Sequence, residues 1–110
     1  MYIYKELMTD DRCKGKGNSI IHRIRRNAGL VDIYMVCLAK NRDTFDLIDC
    51  INLKQKGYPK DELYILGFAR GKDSAIQLST QLFLKLSDRY GMQQFKKELF
   101  EHADTLFRRY

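Results

Sequence analysis

From Val31 to Ala39 the chain is almost unbroken in apolar residues, most of them β-branched or aromatic: Val31, Ile33, Tyr34, Met35, Val36, Cys37, Leu38 and Ala39. A run of that length and composition suits a strand buried on both faces. Such a strand needs partners beside it and cover above and below. Glu62 to Ala69 supplies a second strand through Leu63, Tyr64, Ile65, Leu66 and Phe68, and Gly71 ends it. Asn41-Arg42-Asp43 makes a turn, after which Thr44 to Asp49 reads as a third strand, although Phe45, Leu47 and Ile48 also allow a helix. Tyr2 to Leu7 is a short aromatic segment with strand character.

The covering layers are helical. Ser19 is placed to cap a short helix with Ile20, Ile21, Ile24 and Ala28 on one face and Gly29 as its stop. A short helix is expected from about Cys50 to Lys56, before the Gly57-Tyr58-Pro59 loop. Ser74 with Gln77 fits a capping box. The following stripe of Ala75, Leu78, Leu82, Leu86 and Tyr90 runs to Gly91. A last helix places Phe95, Leu99, Ala103, Leu106 and Tyr110 inward. The expectation is therefore an α+β fold: strands at 31–39, 45–49 and 62–69, helices at 74–90 and 92–109, in a small mixed sheet of three to four strands with two consecutive C-terminal helices. At 110 residues the chain is read as a single domain spanning residues 1–110.

Charge is the second constraint. The net charge is +6, and it is concentrated between Arg12 and Arg26, where Arg12, Lys14, Lys16, Arg23, Arg25 and Arg26 occur with no acidic residue among them. Such a segment favours a partner with an acidic surface, either a nucleic acid or a protein complex, over a membrane. The bland alternative is a solvated face, because Lys and Arg are mostly exposed in any protein. Arg23 and Arg26, three apart on a short helix, are the expected core of the contact; Lys14 and Lys16 lie in a Gly-rich loop read as flexible. Cys13, Cys37 and Cys50 show no pairing or metal-ligand spacing, which fits a reducing bacterial cytoplasm. No membrane span or signal peptide is read.

Apparent motifs fail on their chemistry. Gly67-Phe68-Ala69-Arg70-Gly71-Lys72-Asp73-Ser74 resembles a P-loop but has three residues between its glycines, and Asp73 stands where a phosphate would sit. What survives is an anion contact through Arg70 and Lys72. Asp43, Asp46 and Asp49 would line one face of a helix as cation ligands, but in a strand Asp46 and Asp49 point to opposite sides. With no complete nucleophile, base or metal set, no catalytic residue, metal or cofactor is expected, and the protein is read as not an enzyme. The apolar breadth of the C-terminal helix marks Phe100 and Phe107 as an oligomer or partner face.

The stretch Tyr64-Ile65-Leu66-Gly67-Phe68-Ala69-Arg70-Gly71, with Ala75 after it, resembles short uncharacterised proteins of Gram-positive bacterial mobile elements. Tyr2-Ile3-Tyr4 and the segment from Ile20 to Arg26 are similar to theirs. The resemblance implies a phage or conjugative-element setting and transfers no functional residue. It points to a small basic inhibitor or regulator, anti-CRISPR-like, acting on a nucleic-acid-handling protein complex. Direct sequence-nonspecific binding of nucleic acid and a homo-oligomeric structural role, a homodimer among its forms, are the competing expectations.

Overall fold

The computed structural model describes residues 1–26, 30–39, 45–55 and 59–110. Within these residues five strands form one mixed sheet: β1 (Tyr2–Thr9), β2 (Ile33–Leu38), β3 (Phe45–Asp49), β4 (Tyr64–Arg70) and β5 (Phe107–Arg109), in the order β3-β2-β4-β1-β5. The described helices are α1 (Gly17–Arg25), α2 (Lys72–Tyr90), α3 (Phe95–Glu101) and α4 (Ala103–Leu106), with 3₁₀ turns at Cys50–Lys54 and Lys60–Glu62. No helix among the described residues is long and apolar enough to cross a membrane.

β2 is buried on both faces, as its composition requires. Ile33, Met35 and Cys37 join one core, Val36 and Leu38 the other. It pairs antiparallel with both β3 and β4. β1 runs parallel to β4 and antiparallel to β5. The sheet separates two cores of different character. Under α1, Ile20, Ile21 and Ile24 pack with Ile3, Ile65, Phe68 and all three cysteines. Under α2 and α3, Ala75, Leu78, Leu82, Leu86, Phe95 and Leu99 pack with Tyr4, Leu66 and Phe107. Tyr64 ties the second core together: it stacks on Tyr2 at 4.5 Å and meets Phe100 and Phe107 edge-on.

β1 and β4 do not pair evenly. Tyr2 and Ile3 lie opposite Tyr64 and Ile65, then the register jumps so that Met8 lies opposite Gly67. Where the strands rejoin, a Cβ on residue 67 would stand 2.6 Å from the Met8 carbonyl oxygen, so only glycine fits. The Gly67 of the P-loop-like motif is thus a packing residue of a strand.

Several sequence expectations are corrected. The sheet has five strands, because Phe107–Arg109 is a strand and not the end of a helix. The final helical region starts at Phe95 rather than residue 92 and breaks at His102. β2 is shorter than expected, and β4 runs from Tyr64 to Arg70 instead of 62–69. α2 starts at Lys72 with Gly71 at its N-cap and no side-chain cap, so the Ser74–Gln77 capping box is not formed. Ser19 lies inside α1, whose N-cap is Lys16. Strand β3 matches its expected span. The face residue Ala28, the stop at Gly29, the 41–43 turn and the Gly57-Tyr58 part of the loop lie outside the described residues.

Candidate anion site at the carboxyl ends of the parallel strands

β1 and β4 are parallel neighbours whose connections leave for opposite faces of the sheet, β1 into α1 and β4 into α2. In open α/β sheets this arrangement opens a crevice beyond the carboxyl ends of the strands, and ligands bind there. Here the crevice is framed by residues 10–16, the first turns of α1, the start of β2 and the end of β4.

Asp10 holds the frame. Its Oδ1 accepts from the Cys13 N–H at 2.9 Å, and its Oδ2 accepts from the Arg70 N–H at 3.0 Å. Its own N–H donates to the Phe68 carbonyl at 3.2 Å. One carboxylate therefore folds the 10–16 loop as an Asx-type turn and fastens it to β4. Cys13 anchors the loop from beneath, with its side chain buried in the α1 core. The Lys16 N–H returns to the Cys13 carbonyl at 2.9 Å, so Lys14 and Lys16 stand on a hydrogen-bonded turn. On the other wall, Asp32 takes a φ of 63°, a conformation Asp tolerates, and its carbonyl accepts from Gly71 N–H at 2.8 Å. That bond docks the entry to β2 against the end of β4.

These anchors enclose a hollow of about 270 Å³. Its rim carries Arg12, Lys16, Arg23 and Arg70, and among the described residues no carboxylate lines it. Its floor is Ile20, Leu30 and Ile33 with Cys13; Ser19 and Val31 complete it. The first turn of α1 carries neither an acidic residue nor a side-chain cap, so its free N–H groups add positive potential beside Lys16 and Ser19.

The structure sorts the basic residues expected at the partner face. Arg12, Lys16 and Arg23 converge, joined by Arg70 from β4. Arg25 turns away and lies over the Tyr110 ring at 5.7 Å. Arg26 and Lys14 are exposed and do not line the hollow. Lys72 is exposed at the first position of α2 and likewise does not line it. The expected Arg23–Arg26 pair is thus replaced by a set drawn from a loop, a helix and a strand. Asp10 went unread at the sequence level. The available signal was an Asp preceding a loop of Arg, Lys and Gly, the setting in which Asx turns form.

Other candidates disperse. Phe107 is 3% exposed, packed on Tyr4 at 5.4 Å, and Phe100 is half-buried against Tyr64; the expected oligomer face is largely inner core. Asp46 lies opposite Cys37 and Asp49 opposite Tyr34, on opposite faces of β3. Asp49 caps the following 3₁₀ turn by accepting from Ile51 N–H. Asp43 lies outside the described residues, and among those described no three His, Cys, Asp or Glu residues gather as metal ligands. Burial is the first cause raising the thiols of Cys13 to about 11 and Cys50 to about 12, and it pushes Cys37 up as well. Protonated thiols are poor nucleophiles at neutral pH.

No protein-family model, curated protein or solved structure matches this chain.

Proposed function

We propose that this is a non-catalytic binding protein whose cation-rimmed hollow engages the phosphate backbone of a nucleic acid. The observation that carries the reading is the convergence of Arg12, Lys16, Arg23 and Arg70 on one concavity that, among the described residues, no carboxylate lines. Arginine suits this role because its planar donors match phosphate oxygens, and the frame of main-chain bonds around Asp10 limits the ordering needed on binding. The double variant Arg23→Ala with Arg70→Ala removes two rim cations from exposed positions. It is expected to weaken nucleic-acid binding and to flatten the dependence of log K on log salt by roughly 1.5–2 units. The thermal midpoint stays nearly unchanged. Arg26→Ala, outside the rim, serves as the matched control. Equal affinity of the double variant and the parent, both folded, would refute the reading.

A second reading, action on a nucleic-acid-handling protein complex, draws support from a different surface. Phe45 and Leu47 of β3 with Ile76 and Phe83 of α2 line an apolar groove of about 280 Å³. β3 lies at the edge of the sheet, and Ile76 is exposed. A protein partner offering apolar side chains suits this groove, whereas a phosphate backbone does not. Under this reading Ile76→Glu releases a purified partner complex after nuclease treatment, while Arg23→Ala with Arg70→Ala leaves that complex bound.

A further inference from the structure

We infer that the hollow takes one unpaired nucleotide of a single strand, its ring against the floor and its phosphate at the rim; this rests on the nucleic-acid reading above. A phosphate needs donors and positive charge, and a flat basic surface supplies both. The hollow adds depth that a phosphate does not use. Beneath the rim lie Ile20, Leu30, Ile33 and the Cys13 thiol, none more than 6% exposed, so the bottom offers no charge and a small uncharged surface. At its mouth Val31 is 75% exposed, an apolar side chain held out in solvent by the turn at Asp32. A base presents two apolar faces to such a surface and keeps its phosphate within reach of the cations above. The volume of about 270 Å³ falls just under the roughly 300–1,000 Å³ of sites for drug-sized ligands, which limits the occupant to one small unit.

The consequence is selectivity by strandedness without selectivity by sequence. Bases in a duplex are stacked and paired, and inserting one costs its unstacking. A single strand offers bases already free. Among the described residues no aromatic ring lines the hollow, so the gain from the base is at the low end of what stacking platforms give, about fivefold to tenfold in affinity.

Fluorescence anisotropy with three labelled probes of equal phosphate count provides the test: an oligothymidine strand, a strand of the same length abasic at every position, and a blunt duplex. The full chain is expected to bind the base-bearing strand at least fivefold more tightly than the abasic strand or the duplex. Ser19→Leu fills the hollow from an exposed helix position and changes no charge. It should abolish the difference between the base-bearing and abasic strands. Val31→Ser, exposed and equally neutral, should reduce the difference in the same direction, so a folding fault in one variant does not block the test. Equal affinity for base-bearing and abasic strands overturns the inference and leaves backbone binding standing. Tighter binding of the duplex overturns it too. Absence of binding to all three probes overturns both readings together.

Discussion

On one side of the sheet, α2 lays Ala75, Leu78, Leu82 and Leu86 along β2 and β4, and rings from Tyr4, Tyr64, Phe95 and Phe107 fill the remaining space. On the other, α1 brings only Ile20, Ile21 and Ile24 to the sheet, and its first turns border the cationic hollow. α2 spans 19 residues and α1 spans 9. A short helix cannot cover a strand pair from end to end, and the part left open is where the cations gather. The longer face is built to close; the shorter face closes at one end and leaves a site at the other. Stability and recognition are thereby assigned to opposite sides of one sheet.

That division can be broken experimentally, beginning with the largest effect. Leu82 is fully buried at the middle of α2, and Leu82→Ala is expected to cost about 3–5 kcal/mol through lost transfer energy and a residual cavity. Denaturant unfolding measures it. Under conditions where the variant stays folded, nucleic-acid affinity should match the parent; a parallel loss of affinity would show that the two faces are not independent.

Asp10 sits on the seam, and its replacement should touch both properties. Asp10→Ala leaves the Cys13 and Arg70 N–H groups without their carboxylate partner, at a cost of about 1–3 kcal/mol. It also frees the loop that carries Arg12 and Lys16. The expected result is a moderate drop in the thermal midpoint together with weaker binding. Asp10→Asn keeps one acceptor and should fall between Ala and the parent on both measures. Binding unchanged in Asp10→Ala would sever the link between the Asx turn and the rim.

The smallest effect lies far from the hollow. Arg89 of α2 forks onto Glu6 of β1, and the Tyr4 hydroxyl donates to the same carboxylate at 3.2 Å. The hydrogen bond from Arg89 is the first cause holding Glu6 below its ordinary carboxylate value of 4.5. A depressed folded value means the contribution is present above about pH 4.5 and fades as pH falls through the lower folded value. Both side chains are well exposed, so it amounts to less than about 1 kcal/mol. Arg89→Ala should flatten the acid limb of the stability profile slightly and leave the neutral plateau within that margin. A shift of several kcal/mol would place a major stability element at the edge of the sheet.

What could be read from the sequence follows the range of the interactions that decide it. β2 and β4 were legible because double-sided burial imprints itself on consecutive residues. α2 was legible through its stripe, although not its start, since Gly71 rather than a polar side chain occupies the cap. β5 was not legible: Phe95, Leu99, Ala103, Leu106 and Tyr110 keep helical spacing to the end. The strand forms because Tyr4 and Phe107 meet across paired β1 and β5, a contact that no local pattern encodes. The site divides in the same way. Arg12, Lys16 and Arg23 were visible as a charged segment. Arg70 joins them only because β4 lies parallel to β1, and Arg25 and Arg26 drop out because the orientation of α1 carries them elsewhere.

The parallel pairing of β1 with β4 also makes the hollow a readout of completed folding. Its walls come from residues near positions 12, 20, 31 and 70, and none of these segments alone presents the full set of cations. Contacts so distant along the chain form late and reward the polypeptide only once the loops between them have closed. An unfolded or half-assembled chain carries the same net charge but lacks the concavity, so a ligand that fits the hollow selects the finished sheet. Binding of that kind raises the midpoint of unfolding with ligand concentration. Attraction to net charge alone, which the disordered chain shares, does so far less.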